Sequence, residues 1–161
     1  MRTFLFLSLS FALLLQSGCS KDDGRPNDLP KLHPVSITVI QDGKPLEGAA
    51  VTLIAKTQTL YGMASGTTNA SGIAVPRTYG YDGVPVGQYM VTVSKAVVEG
   101  AREAKNDDGS TYETGGKNYQ YVDVKFTKQD TTTLDIDVTE KGAKETFDVG
   151  AAVHVFLSEN E

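Results

Sequence analysis

The sequence holds few side chains whose type and spacing could catalyse a reaction. Its two histidines are His33 and His154, and a Ser/His/Asp triad needs a histidine as its base. His154 alternates with apolar residues, as an exposed structural histidine on a strand would. Asp135 and Asp137 share one face of a predicted strand about 6 to 7 Å apart, a separation that could suit acid–base chemistry. A solvated sheet face explains the pair more simply, so we expect no catalytic residue and no enzymatic activity.

Metal-binding patterns are weak in this sequence. The run Asn106-Asp107-Asp108-Gly109 offers oxygen ligands for calcium, but aligning it with an EF-hand loop places Ala104 and Gly115 at required ligand positions. A looser site that also uses Glu113 stays open, although a solvated turn is the favoured interpretation. One cysteine and two histidines cannot complete the Cys/His quartet of a structural zinc site. We therefore expect no metal and no cofactor.

Tyrosine-rich segments are the best candidates for binding a ligand. A tyrosine ring can stack on a sugar or anchor a partner protein, and neighbouring polar side chains can add hydrogen bonds. The candidate ligand residues occur in two segments and are Tyr79, Tyr81, Asp82, Asn118, Tyr119 and Tyr121. The alternative is that these tyrosines cover the open ends of the folded domain as partial core.

The N-terminus has the pattern of a secretory signal. Arg2 precedes an apolar run over residues 4–15, which is too short for a membrane span of about 20 residues. Ser17 and Gly18 then precede Cys19, and this order resembles the lipobox of bacterial lipoproteins, although Gln16 stands where such motifs usually have leucine. The resemblance implies that residues 1–18 are a signal peptide, and that Cys19 is acylated and anchors the mature chain to a membrane.

The segment after the cysteine predicts export and a tether. Lys21, Asp22 and Asp23 resemble the export signal of surface lipoproteins in Bacteroidota-type Gram-negative bacteria. This resemblance implies an outer-membrane anchor with the domain at the cell surface, while a plain charged segment and a periplasmic location stay open. Three prolines within residues 20–34 exclude helix and central strand. We therefore expect residues 19–34 to be the lipidated cysteine and a flexible tether, up to about 50 Å long for 15 extended residues.

From residue 35 onward, apolar residues alternate with polar ones as in β-strands. The pattern covers residues 35–39, 51–53, 89–93 and 134–138, and Phe147, Val149, Val153, Val155 and Leu157 continue it. Residues 96–105 could form a short helix, although Gly100 disfavours it. Residues 99–130 are too polar for a core and predict a long loop. Short strands between turn residues favour an antiparallel, all-β sandwich over residues 35–157.

Three motifs carry a resemblance to a known family. They are GKPLEGAAVTL at residues 43–53, SGTTNASGIAV at 65–75 and VPVGQYMVTVSK at 84–95. Their order resembles the carboxypeptidase regulatory-like domains, and residues 126–149 resemble the closing strand pair of such domains in envelope lipoproteins. The resemblance implies a transthyretin-like (prealbumin-like) sandwich of about seven strands. Tyr89 follows a glycine turn and is expected to bury its ring and to donate a hydrogen bond from its hydroxyl.

Charge and size narrow the function further. The 161-residue chain carries 15 Lys and Arg against 20 Asp and Glu, a net charge of -5, with no clustered basic stretch. Nucleic acid is therefore not an expected partner, because a basic face supplies most of that affinity. We expect a non-enzymatic, lipid-anchored envelope protein that acts as an interaction or structural module, with a protein or glycan as partner. The alternative is a carbohydrate-binding accessory protein that uses the loop tyrosines.

Overall fold

The computed structural model describes residues 24–159. The signal peptide, the lipidation site Cys19 and the export residues Lys21, Asp22 and Asp23 lie outside the described residues. Within residues 24–159, no helix is long and apolar enough to cross a membrane.

The described chain consists of short strands and one turn of 3₁₀-helix, Val124–Phe126. The strands, in chain order, are β1 (Leu32–His33), β2 (Val35–Gln41), β3 (Lys44–Pro45), β4 (Ala50–Ala55), β5 (Met63–Thr67), β6 (Ile73–Ala74), β7 (Arg77–Thr78), β8 (Tyr81–Asp82), β9 (Val84–Pro85), β10 (Gly87–Ser94), β11 (Ala96–Glu99), β12 (Arg102–Lys105), β13 (Thr111–Thr114), β14 (Lys117–Gln120), β15 (Leu134–Val138), β16 (Ala143–Asp148) and β17 (Val155–Glu159). The prediction of an all-β chain is confirmed.

Two sheets form the sandwich. One has six strands in the order β15-β10-β4-β5-β7-β8, and the other has the order β16-β2-β3 with β6 paired to β2. One core cluster joins them, since it contains Ile37 and Phe147 from the smaller sheet and Leu53, Val91 and Ile136 from the larger one. The strand alternation predicted from the sequence places these side chains inward, and Leu53 and Val91 are completely buried. The predicted sandwich and its core are confirmed.

The direction of β16 differs from the expected antiparallel arrangement. The named strand pairs of the described chain are antiparallel apart from β16 and β2, which run parallel from Ala143 beside Val35 to Asp148 beside Ile40. The turn after β15 carries the chain to the other sheet, where the Ala143 N–H donates to the Pro34 carbonyl oxygen at 3.0 Å. Strand β16 therefore starts beside the start of β2 and continues in the same direction.

Tyr89 occupies the corner that its sequence context predicts. Its side chain is buried, and its hydroxyl donates a hydrogen bond to the Pro85 carbonyl oxygen at 2.9 Å. Burial raises the pKa of the Tyr89 hydroxyl, because the charged phenolate is disfavoured away from water. The hydrogen bond fixes the entry to β10.

The last part of the expected tether packs against the sandwich instead. Strand β1 pairs with β9, with Leu32 opposite Pro85 and His33 opposite Val84. Leu29 and His33 are buried, the latter with 4% of its surface exposed. Prolines exclude a long strand here, but a two-residue edge strand avoids them, and the apolar side chains gain from burial.

Residues 96–120 form a β-hairpin, where a polar loop over 99–130 was expected and a short helix over 96–105 was left open. Strand β11 pairs with β14, and β12 pairs with β13, in one continuous register that runs from Ala96 opposite Gln120 to Lys105 opposite Thr111. Strand β17 adds to β14, so that β11-β14-β17 is a separate three-stranded sheet. We call residues 96–120 together with β17 the arm. Its polar sequence is compatible with strands because most of its side chains are exposed.

The arm and the N-terminal segment lie at opposite ends of the sandwich. Strand β10 begins at Gly87, two residues after Pro85, which pairs with Leu32. The same strand ends at Ser94, and the arm begins two residues later. We call these the anchor end and the arm end, and they are about 27 Å apart for eight residues of strand.

Candidate functional site

The structure separates the two groups of candidate ligand residues. Tyr79, Tyr81 and Asp82 lie around the β7–β8 turn, next to the end of β5 where Met63 is located. This is the anchor end of the sandwich. Asn118 and Tyr119 lie on β14 in the arm, and Tyr121 directly follows that strand at the base of the arm. The sequence-predicted residues therefore belong to two distinct surfaces.

The first surface is an open groove of about 900 Å³ on the outer side of the larger sheet. Its lining includes Tyr79, Leu60, Met63, Arg77 and Thr52. The Tyr79 side chain is 63% exposed, and its backbone has a φ of 52°. A non-glycine residue rarely adopts this conformation, so the turn holds an aromatic ring beside the groove at a cost in backbone strain.

Neighbouring side chains hold the Tyr79 ring in place. The Tyr61 ring meets it edge to face, with 5.2 Å between the ring centroids. The Tyr61 hydroxyl in turn donates to the Asp28 carboxylate at 2.6 Å. This hydrogen bond is the main reason that the pKa of Tyr61 is raised to about 12. The N-terminal segment therefore supports the groove through Tyr61, a residue that sequence reasoning did not select.

Two other predicted groups of this surface already have partners in the chain. The Arg77 side chain lies 2.8 Å from an Asp82 carboxylate oxygen, and both side chains are more than half exposed. The Arg25 guanidinium lies over the Tyr81 ring, 5.9 Å from its centroid. A ligand in the groove would therefore meet Tyr79 and the Arg77–Asp82 pair, while Tyr81 contacts the N-terminal segment.

A second groove of about 630 Å³ lies beside the first, across residues 56–62. Lys31, His33, Tyr61 and Gln88 are among its lining residues. The His33 ring donates from Nδ1 to the Glu140 carbonyl oxygen at 2.7 Å, which leaves Nε2 as the acceptor in the neutral ring. No sequence pattern indicates this groove, because it depends on the packing of the N-terminal segment.

The second surface is an aromatic cluster at the base of the arm. The Tyr119 and His154 rings are stacked with 4.0 Å between centroids, and Phe156 meets Tyr119 edge to face. The Glu99 carboxylate accepts hydrogen bonds from the Tyr121 hydroxyl and from Nε2 of His154, the latter at 3.3 Å. These contacts join β11, β14 and β17, the three-stranded sheet at the base of the arm.

Hydrogen bonding in this cluster shifts two pKa values in opposite directions. The bond from Tyr121, with a smaller contribution from His154, lowers the pKa of Glu99. The same bond raises the pKa of Tyr121. Both shifts favour a charged Glu99 and a neutral Tyr121, which is the state in which the hydrogen bond exists. The Gln41 side chain donates to the Tyr121 carbonyl oxygen at 2.8 Å and attaches the cluster to the sandwich.

The apolar side chains of strand β17 are exposed, although the alternating pattern that reaches Leu157 is typical of a strand with one buried face. Val155, Phe156 and Leu157 expose 41%, 50% and 50% of their surface. The strand pairs with β14 beyond the arm end of the sandwich, so no second sheet covers it. The alternation that ends with Val155 and Leu157 therefore marks a strand, but not a strand with a buried face.

The acidic turn in the arm is occupied by its own hydrogen bonds. Asp108 accepts from the backbone N–H and the hydroxyl of Ser110, at 2.9 and 2.6 Å. These bonds lower the pKa of Asp108 and close the β12–β13 hairpin. Among residues 24–159, no group of three or more His, Cys, Asp or Glu side chains is arranged to hold a metal ion.

Comparison with solved structures gives a distant likeness in fold. No protein-family model matches the chain, and no curated protein matches it. Among solved structures, the chain is similar to the D312A form of BcpA, the major pilin subunit of Bacillus cereus, with 16% identity and a TM-score of 0.39. The match covers 74% of this chain and 30% of the pilin subunit, so the chain spans less than a third of that protein. The fold assignment rests on the strand pairing and the core.

Proposed function

We propose that this chain is a lipid-anchored, non-enzymatic protein of the bacterial cell envelope, with a carboxypeptidase regulatory-like sandwich that presents the arm to a partner. The observation that carries the proposal is the position of the arm at the end of β10 opposite the N-terminal segment. An acyl group on Cys19 would hold the anchor end near the membrane, and the arm would point away from it.

Distances along the chain give this orientation a scale. Residues 20–23 separate Cys19 from Gly24, and the five Cα-to-Cα steps between the two span at most about 17 Å when fully extended. The sandwich adds about 27 Å, and ten residues of hairpin strand add about 33 Å. The tip of the arm would therefore lie roughly 60 Å from the anchor end of the sandwich. Packing of residues 29–33 on the sandwich supports a shorter tether than the sequence alone suggested.

The arm supports an interaction role through the chemistry of its surface. Exposed apolar residues lie beside charged ones on this thin sheet. A monomeric soluble protein seldom exposes contiguous apolar surface without a binding role. The acyl anchor and the charged residues Lys21, Asp22 and Asp23 would place this surface outside the cell.

Membrane fractionation and surface labelling test this proposal together. A cysteine placed at the arm tip, Asp107→Cys, is expected to react with a membrane-impermeant maleimide on intact cells. Replacing Lys21, Asp22 and Asp23 by alanine should abolish this labelling while the protein stays in the membrane fraction. The Cys19→Ala variant should leave the membrane fraction. Retention of Cys19→Ala in the membrane would contradict the lipid anchor, and equal labelling of the triple variant would contradict the export role.

A second candidate function is glycan binding in the groove beside Tyr79. The observation that favours it is an exposed ring held at a positive φ beside a groove with hydroxyl, guanidinium and apolar groups. Sugar rings bind through such combinations of a flat apolar surface and hydrogen-bonding groups. A glycan array with the wild type and Tyr79→Ala tests this function, with Tyr112→Ala in the arm as the control. Binding that survives Tyr79→Ala, or no binding by the wild type, would reject it.

A further inference from the structure

The sandwich protects its sheet edges with charge, proline or short length. Strand β15 carries Asp135 and Asp137, and β16 carries Lys144 and Glu145. Strand β3 is a Lys-Pro pair, and β8 has two residues, one of them Asp82. Such features prevent an edge from pairing with another chain. These four strands at the ends of the two sandwich sheets are therefore unsuited to strand addition.

The two edges of the arm sheet are less protected, because each of the strands β11 and β17 has one charged residue, at its end, and its other side chains are mostly apolar. In β11, Val97 and Val98 are 36% and 42% exposed, and in β17 three consecutive apolar residues are at least 41% exposed. Each strand pairs with β14 alone, so each has one side whose backbone groups face away from the sheet. An edge of this kind is a template for a further strand. The occupant must be an extended segment that brings apolar side chains.

We propose that β17 of one copy pairs with β11 of a second copy, so that the arm sheet continues from molecule to molecule. Each molecule has one open β11 edge and one open β17 edge, so one further copy on each side fills both. The orientation agrees with the proposed function, on which this part of the inference rests. Strand β11 leaves the sandwich after Lys95, and β17 runs antiparallel to β14, which returns to it. Both edges therefore run away from the anchor end, and parallel pairing places neighbouring copies side by side with their anchors on one membrane.

The cross-strand rows indicate which side chains meet. Val97, Tyr119 and Phe156 form one row across β11, β14 and β17. In a continued sheet of the same register, Phe156 lies beside Val97 of the next copy, and both half-exposed side chains lose contact with water. Leu157 is the extra residue where the β14–β17 register shifts, and it adds apolar surface beside the junction.

The expected association is weak in solution. A stable interface buries about 800 Å² per partner, and a junction of four or five residues buries much less. Parallel pairs are also slightly less stable per residue than antiparallel pairs. Anchoring on one membrane raises the local concentration and removes orientations that cannot pair, which strengthens such an interaction without new contacts.

Disulfide trapping tests the pairing. Within one chain, residues 97 and 156 are two strands apart, about 10 Å, and a disulfide requires Cα atoms closer than about 7 Å. A bond between Cys residues at these positions must therefore join two molecules. We expect full-length Val97→Cys and Phe156→Cys chains, produced in the same cells and oxidised, to give a mixed dimer. Chains with both substitutions should give a ladder of higher species.

Matched controls make the outcome decisive. In the first control, Asp135→Cys and Lys144→Cys chains are produced in the same cells, which places exposed thiols on the protected edges. In the second control, the wild type shows whether any disulfide forms through Cys19. A mixed 97–156 product no greater than these controls would overturn the proposal. A dominant Phe156→Cys homodimer would also overturn it, because that product indicates antiparallel pairing of two β17 strands. Repeating the trapping with concentrated, detergent-purified protein tests the pairing without a membrane. If the mixed dimer forms but the wild-type chain is not retained in the membrane fraction, the proposed anchor is rejected and the pairing is not.

Discussion

The sandwich and the arm are built from the same kind of strand but are stabilised differently. In the sandwich, β2, β4 and β10 bury every second side chain in a core shared by two sheets. In the arm, β11, β12 and β13 leave nearly all side chains exposed or half-buried. Hydrogen bonds, stacked rings and the Glu99 contacts therefore hold the arm, while apolar burial holds the sandwich. This chain therefore separates its stable part, the sandwich, from the arm, the part available to partners.

The largest expected effect of this difference is on stability. Leu53→Ala removes a completely buried side chain and should lower the free energy of unfolding by about 2 to 5 kcal/mol. Phe156→Ala in the arm should change it by less than about 0.5 kcal/mol, because the side chain is half exposed. Urea unfolding followed by circular dichroism measures both. Similar losses from the two substitutions would contradict the distinction between a buried sandwich and a surface arm.

A smaller effect is expected at the Tyr89 corner. Tyr89→Phe keeps the buried ring but leaves the Pro85 carbonyl oxygen without its donor, so the free energy of unfolding should fall by about 1 kcal/mol. Tyr112→Phe, on the exposed face of the hairpin, is the matched control and should have no measurable effect. A loss from Tyr112→Phe as large as that from Tyr89→Phe would mean that the arm is packed more firmly than the structure indicates.

These two regions also differ in how far the sequence predicts them. Period-two alternation predicts the core because one face of each sandwich strand is buried, and this places Leu53 and Val91 correctly. It fails in the arm, where strands exposed on both faces have no alternation to detect, so residues 99–130 resemble a loop. Ala96 to Lys105 has helix-favouring residues, but pairing with residues 111–120 overrides that local preference.

The candidate site was predictable only in part, for a related reason. Tyr79 and Tyr119 stand out by residue type, and both lie on accessible surfaces. Tyr61, His33 and His154 acquire their roles from contacts with residues far away in the sequence, such as Tyr61 with Asp28 and His154 with Glu99. Local patterns carry no information about such contacts. The packing of Leu29 and His33 on the sandwich was missed because prolines suggested a tether.

The smallest expected effect is a local response of the arm to pH. The pKa of Glu99 is lowered in the folded chain, so its contribution is present above the ordinary carboxyl value and is lost as the pH falls through the lowered value. Nuclear magnetic resonance signals of the Tyr119 and Tyr121 rings should shift over this acidic range, with those of buried Tyr89 unchanged. The Glu99→Gln variant should lack this transition. An equal shift at Tyr89 would contradict a response confined to the arm.

The orientation of the two ends relative to the membrane tests the central claim most directly. Energy transfer from a fluorophore at Thr57→Cys, at the anchor end, and from one at Asp107→Cys, at the arm tip, to acceptors in the lipid headgroups measures both distances in vesicles carrying the acylated chain. The account predicts that the Thr57 label lies within roughly 20 to 30 Å of the headgroups and that the Asp107 label lies about 60 Å farther from them than the Thr57 label. Equal distances, or an arm tip closer to the lipid than Thr57, would contradict it.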